Sequence, residues 1–314
     1  MEETDMVLRG FVTIATGDEK YYKLAFNLLR SYKLHCTGEK LPFAVICDRK
    51  NKYTESFDDA IILEEASMSF MDKLLLYKYA PYDETVFIDA DSLFIGAPEG
   101  LWDDFKNADD VSCYGAPLPL DSTKGWFTYE GCREYKEQIK FLVSMHGGVY
   151  FFRKTERAKK IFEKAVELAE NYSKYGFNYF NKPADEPVLA MAMAIFQCQP
   201  YHEKQNGGII FVPSCYGKVR IKWDGKIMLK NQNQCTEVLC HFGTRNTELF
   251  VYKFAVYSNE CDYYGKGQIS RVFGYCKIKL LSFPKTSKAM LRYWCGQIIR
   301  KYVPDRFCEE LRLR

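Results

Sequence analysis

The residues best suited to chemistry are carboxylates. Asp89 and Asp91 flank Ala90 directly after the apolar run Val86-Phe87-Ile88, and a second apolar run, Leu93-Phe94-Ile95, follows. Alternate carboxylates at a strand exit can converge on one divalent cation, and a hard metal held by oxygen ligands can hold a diphosphate. The competing description is a solvated acidic turn, which the hydrophobic runs on both sides disfavour. Asp185 and Glu186 open an apolar segment, where acids favour the helix dipole or serve a site. Lys73 stands beside Leu74, Leu75 and Leu76, either as a snorkelling surface lysine or as a cation for a ligand. His241 follows the apolar pair Leu239-Cys240, as a structural residue or a metal ligand. Gly147 and Gly148 would let a backbone approach a ligand closely, or simply make a turn.

These residues need a frame, and hydrophobic patterning supplies one. Phe11–Thr16, Phe43–Cys47, Ala60–Leu63 and Thr85–Asp89 are short, β-rich runs that predict buried strands. Between the first two, Leu24, Leu28 and Tyr32 share a helical face over 21–35, with Asp18 as its cap. A helix is expected over 70–80, stopped by Pro81. Strands follow at 111–114, 147–152, 209–212 and 238–242, with helices over 158–172 and 185–196 and a Gly/Pro/aromatic loop region over 115–131. Strands alternating with helices predict a doubly wound, mainly parallel α/β sheet, whose ligands bind beyond the carboxyl ends of the strands. Asp89 and Asp91 lie at such an end.

At this point the chain resembles a family, the GT-A fold nucleotide-sugar glycosyltransferases of the glycogenin and bacterial lipopolysaccharide galactosyltransferase type. The resemblance rests on blocks whose order is kept over about residues 10–245: Phe11-Val12-Thr13-Ile14-Ala15-Thr16-Gly17-Asp18 with Tyr21; Asp72-Lys73-Leu74 with Tyr77 and Pro81; Val86-Phe87-Ile88-Asp89-Ala90-Asp91; His146 to Phe152; Asp185-Glu186-Pro187; and Leu239-Cys240-His241-Phe242. The resemblance implies a Rossmann-like GT-A catalytic domain over 1–270, with a nucleotide-binding half at about 8–115 and an acceptor-side half at 116–270. It implies that Asp89, Asp91 and His241 hold Mn²⁺ or Mg²⁺, which would neutralise the diphosphate leaving group. Ala15, Thr16, Asp18, Tyr21, Asp89, Ala90, Gly147 and Gly148 would line the donor site. Asp185, Glu186 and Lys73 would act at the donor sugar. The implied activity is transfer of a hexose from a nucleoside diphosphate sugar, a UDP-sugar by preference, to a glycan, glycolipid or protein hydroxyl with retention of configuration. Two positions depart from the family pattern. His146 replaces an Asn, and the Gly-x-Lys-Pro-Trp stretch is reduced to Gly243-Thr244-Arg245-Asn246, where Arg245 would take over the phosphate contact.

Asp89-Ala90-Asp91-Ser92-Leu93 is also similar to the opening motif of haloacid dehalogenase-type phosphatases, in which Asp89 would be the phosphoryl nucleophile. That motif belongs on a first strand, and three strand-like runs precede it here. A catalytically inactive sugar- or nucleotide-binding module is the further alternative.

Composition bounds the rest. The chain has 314 residues, 47% hydrophobic and 27% charged, as an ordinary globular protein has, which excludes disordered and polytopic membrane classes. Aromatics at 16% suit flat stacking surfaces as well as a core. The net charge of +3 is unevenly spread: 271–314 holds eleven Lys/Arg against three Asp/Glu, so the first 270 residues are mildly acidic. With no nucleic-acid motif, one basic segment does not predict nucleic-acid binding. Leu291, Trp294, Ile298 and Tyr302 recur at helical spacing among Arg292, Arg300 and Lys301, so the 271–314 tail is expected to be helical, and either packs on the catalytic domain or lies peripherally on anionic lipid. The twelve cysteines form no CxxC pair, no run reaches the length of a spanning helix, and Met1–Gly10 lacks signal-peptide features. Reduced thiols are the expectation, in a cytoplasmic location that includes peripheral placement on the inner face of a membrane.

Overall fold

In the computed structural model, residues 7–177, 183–202 and 208–302 are described. In chain order they form β1 (Arg9–Ala15), α1 (Glu19–His35), β2 (Phe43–Cys47), β3 (Asp59–Ile62), α2 (Leu76–Tyr79), β4 (Glu84–Ile88), β5 (Ser92–Phe94), α3 (Glu99–Phe105), β6 (Val111–Leu118), β7 (Leu142–Arg153), α4 (Glu156–Glu170), α5 (Asp185–Ile195), β8 (Tyr201–His202), β9 (Ile209–Phe211), α6 (Val212–Cys215), β10 (Val219–Ile221), β11 (Ile227–Leu229), β12 (Leu239–His241), α7 (Phe250–Tyr263) and α8 (Gln268–Tyr302). They group into two compact units. One holds the chain up to Leu29, Gly38–Ala90 and Glu99–Gly207; the other holds Arg30–Thr37, Asp91–Pro98 and the chain from Gly208 onward.

The first unit is built on a seven-stranded sheet of order β3-β2-β1-β4-β7-β6-β8. The pairs β3-β2, β2-β1, β1-β4 and β6-β8 are parallel, and β7 alone runs against both its neighbours. The sheet is thus the mainly parallel, helix-flanked one that the alternating pattern predicts. β2 and β4 are buried along their whole length, as continuous apolar runs in a parallel sheet should be. The core joins these strands to α4 and α5. In α4 only one stripe is buried (Ala158, Ile161, Phe162, Ala165, Leu168), whereas α5 is buried on every side from Val188 to Ala194. The antiparallel partner of β4 is explained by the long hairpin-like pairing of β6 and β7, which also makes β7 longer than the 147–152 run suggested.

One expected element differs. The helix over 70–80 is a 3₁₀ turn, Phe70–Leu75, followed by the single α turn of α2. Ser69 caps the turn by accepting the Met71 N–H, and Ala80, preceding Pro81, is already extended. The tighter winding matters because Lys73 lies on it.

In the second unit, β5, β12 and β9 form a three-stranded sheet with β12 central, and β10 and β11 form a separate hairpin. β12 is antiparallel to β5 and parallel to β9, which pairs His241 with Ser92 and with Phe211. α7 and α8 pack together: Tyr275 meets Phe250 and Phe254 edge-on at 5.2 and 4.9 Å. The basic tail is therefore helical through Tyr302, as expected, and its helix begins three residues before Arg271. The part of the expected 271–314 helical tail beyond Tyr302 lies outside the described residues. No helix among the described residues is long and apolar enough to cross a membrane.

Candidate functional site

The first unit carries a buried charge cluster at the carboxyl end of β4. Asp89 is fixed there by its backbone N–H, which donates to the Gly148 carbonyl on β7 at 2.8 Å. The 3₁₀ turn presents Lys73, whose Nζ lies 2.8 Å from Asp89 Oδ1 and 3.4 Å from Asp185 Oδ2. Tyr150 Oη donates to the Lys73 carbonyl, and the Phe70 and Phe87 rings sit beside the ammonium. Lys73 is thus a buried cation bridging two carboxylates, and the snorkelling alternative does not apply. Asp185 is the first residue of α5, where unpaired helix N–H groups favour an anion and Pro187 costs no hydrogen bond. Glu186, beside it, accepts the Gly147 N–H at 2.7 Å. A Cβ at Gly147 would come within 2.3 Å of Glu186 Cγ, so glycine allows this approach.

The electrostatics are dominated by burial. Desolvation alone would drive the Lys73 ammonium to release its proton, but Asp185 and Asp89 overcome it and hold the pKa above the usual lysine range. Burial raises Asp185 above the usual aspartate range against the pull of Lys73. Glu186 is raised by burial and by the neighbouring Asp185 charge, partly offset by the Gly147 N–H. Three carboxylates thus face one ammonium, a surplus of negative charge suited to a cation or to sugar hydroxyls.

A second cluster in the same unit forms the loop after β1. Thr16 Oγ1 donates to Asp72 Oδ2 at 3.1 Å, and Asp72 also accepts the N–H groups of Ser67 and Met68 and the Ser67 hydroxyl. Gly17, at φ +78°, donates its N–H to Asp48 Oδ1 at 2.8 Å. Tyr22 Oη donates to the same oxygen, and Arg49 spans Asp48 Oδ2 and the Gly17 carbonyl while stacking on the Tyr22 ring. Burial would raise the Asp48 pKa, but the Tyr22 hydroxyl and the Gly17 N–H lower it on balance. Asp18 Oδ1 accepts the Lys20 N–H and caps α1; Tyr21 is partly exposed on its first turn, and Ala15 is buried at the end of β1. Asp48 and Arg49 are polar residues that the sequence reading missed, and Asp72 was quoted there only as the neighbour of Lys73, without a role. Asp48 follows the buried β2 at its carboxyl end, the same signal that marked Asp89.

The second unit contributes Asp91, which precedes β5, and His241, which ends β12. Strand pairing brings them together: the Phe242 N–H donates to the Asp91 carbonyl at 3.1 Å, and His241 Nε2 lies 3.1 Å from Asp91 Oδ1. Thr244 Oγ1 donates to Asp91 Oδ2 at 2.9 Å, a contact not anticipated from sequence. Gly243 turns the chain at φ +67° into the 3₁₀ segment Thr244–Glu248, on which Arg245 is exposed. The donor set can be tested against a hard divalent cation. Octahedral bonds of about 2.1 Å place adjacent ligand atoms roughly 3 Å apart, which is the spacing of His241 Nε2 and Asp91 Oδ1. Carboxylate with imidazole is a ligand combination that manganese accepts.

No family model matches the sequence, and no curated protein matches it. Among solved structures, the chain is similar to the galactosyltransferase LgtC in complex with donor and acceptor sugar analogs, at 13% identity and a TM-score of 0.47, with 85% of this chain and 95% of that chain covered. It is also similar to the glycosyltransferase GlyE of Streptococcus pneumoniae TIGR4, at 14% identity and a TM-score of 0.45, with 67% of this chain and 49% of that chain covered.

Proposed function

We propose that this protein is a metal-dependent glycosyltransferase that moves a hexose from a nucleoside diphosphate sugar, a UDP-sugar, to a hydroxyl of a glycan, glycolipid or protein, with retention. The observation that carries the reading is the convergence of Asp91 and His241 at ligand spacing, two residues after an Asp89 that is locked to a buried lysine. Asp91 and His241 would each give one ligand atom to the cation, and Asp89, two residues earlier in the chain, would give a third. Bound there, Mn²⁺ or Mg²⁺ supplies Lewis-acid stabilisation of the departing diphosphate.

The remaining roles belong to the chain itself. Lys73 pairs with Asp89 and Asp185 and fixes their direction. Asp185 then accepts from donor-sugar hydroxyls and offsets positive charge that develops on the sugar ring, a preorganised electrostatic role. Glu186, held by the Gly147 N–H, orients the strand that passes Gly147 and Gly148 beneath the sugar. Ala15, Thr16, Asp18 and Tyr21 form the nucleotide-facing loop, which Asp48 and Asp72 brace from behind, and exposed Arg245 serves the diphosphate. The phosphatase alternative requires its motif after the first strand, whereas Asp89 directly follows the fourth.

The test is release of the nucleotide leaving group (UDP, GDP or CMP) from a panel of UDP-, GDP- and CMP-sugars with Mn²⁺, using a mixed acceptor pool, and the same assay on Asp185→Asn. Turnover by the wild type on one UDP-sugar, reduced about 10²-fold or more in Asp185→Asn, with an α-linked product from an α-linked donor by NMR, supports the reading. No turnover on any donor, or a β-linked product, contradicts it.

A further inference from the structure

α8 has two apolar faces, and only one is used inside its own unit. On the inner side, Tyr275 packs on α7, Gly274 lies under the Tyr257 ring, Ser282 is buried and Tyr293 covers Gly217. On the opposite side, Ile269, Phe273, Leu280, Phe283, Leu291 and Trp294 are 52–77% exposed. At 3.6 residues per turn these six fall within an arc of roughly 80°, a continuous stripe about 38 Å long. Exposed apolar side chains scattered singly need no explanation, but a stripe aligned along one helix does.

The charges beside the stripe identify what it meets. α8 contains eight Lys and Arg, and neither Asp nor Glu occurs between Asp262 and Asp305. By helical position Lys277 and Lys288 border one edge of the stripe and Lys279 the other. A second copy of the same face would set these cations against one another. A flat anionic surface with an apolar layer beneath it satisfies both features, with Phe273, Phe283 and Trp294 at the depth where aromatic rings favour a membrane interface. The helix lies along such a surface, because no described helix is apolar enough to cross.

We infer that the outward stripe of α8, from Ile269 to Trp294, docks the protein on the surface of an anionic lipid bilayer. This stands independently of the transferase reading, since it uses neither Asp89 nor any residue near it.

The full-length protein is floated with vesicles of phosphatidylcholine alone and of phosphatidylcholine mixed with phosphatidylglycerol. The wild type is expected to float with the anionic vesicles only. Phe273→Glu/Leu280→Glu, on side chains too exposed to affect folding, abolishes flotation while its circular dichroism and melting temperature match the wild type. Lys277→Gln/Lys288→Gln weakens binding about thirtyfold, near fivefold for each charge close to the surface. Equal flotation with neutral vesicles, or flotation unchanged in Phe273→Glu/Leu280→Glu, overturns the inference. So does a wild-type dimer in sedimentation velocity that becomes monomeric in that variant, which would assign the stripe to a second copy. Recovery of binding only on addition of an acidic protein would equally overturn it.

Discussion

Replacing Lys73 by Met removes the ammonium from a buried group of carboxylates while keeping most of the side-chain volume. Lys73 is 8% exposed, and its Nζ touches Asp89 at 2.8 Å and Asp185 at 3.4 Å. Breaking a buried pair by removing one partner costs about 3–5 kcal/mol, because the other charge stays behind uncompensated. The loss should appear in metal-free buffer at neutral pH as a fall of roughly 5–8 °C in the unfolding midpoint. Its pH dependence follows from Asp185, whose pKa in the folded protein lies above the ordinary aspartate range and rises further without Lys73. An acid raised in the native state binds more protons there than in the unfolded chain, so folding stability increases as pH falls through its native pKa. The gap between wild type and Lys73→Met should therefore narrow as pH falls from 8 towards 5. Lys73→Met/Asp185→Asn should regain part of the loss, with a coupling of about 1–3 kcal/mol. Thermal unfolding followed by circular dichroism across pH measures all three. A cost below about 1 kcal/mol, independent of pH and unaltered in the double variant, would refute the assignment of Lys73 as the counter-charge.

Two further predictions concern the scaffold. Gly115→Ala places a Cβ 1.8 Å from the Ser144 carbonyl oxygen, at the irregularity where β6 pairs with β7; because backbone must move to admit it, a loss of about 2–3 kcal/mol or more is expected in urea unfolding. Glu134, bonded to Lys174 and Tyr175, has its pKa lowered from 4.5 to about 2, with the Lys174 bond the leading cause. A depressed carboxylate stabilises the fold above its unfolded pKa and loses that contribution as pH falls through the folded one, so Glu134→Gln should cost roughly 0.5 kcal/mol at pH 7 after solvent screening and nothing near pH 2.

The parallel part of the sheet was legible because its strands are uninterrupted apolar runs: FVTIA, FAVIC and TVFI can hardly be anything but buried strands. α3 escaped notice because Glu99–Phe105 is short and acidic, and α7 because Phe250–Tyr263 is apolar around much of its circumference and gives no clean stripe. β5 was hidden within the hydrophobic run that follows Asp91, and only its pairing with β12 reveals it as a strand. Asp89, Asp91, Lys73, Asp185, Glu186 and His241 stood out because a charge beside a run of apolar residues is conspicuous in one dimension. Asp48, Asp72 and Thr244 act through loops, and their contacts with Gly17, Thr16 and Asp91 are set by the fold rather than by local sequence. The outward face of α8 was only partly visible: Leu291 and Trp294 were noted at helical spacing, but the stripe reaching back to Ile269 required knowing which side packs on α7.

In the proposed function, Asp91 and His241 bind a divalent cation that in turn binds a nucleoside diphosphate sugar. The most direct measurement is isothermal titration of the responsive UDP-sugar into the protein with Mn²⁺, into the protein with EDTA, and into Asp91→Asn with Mn²⁺. Heat of binding is expected in the first titration, with about a hundredfold or greater loss of affinity in the other two, the scale on which metal-site substitutions act. Equal binding in all three would contradict it.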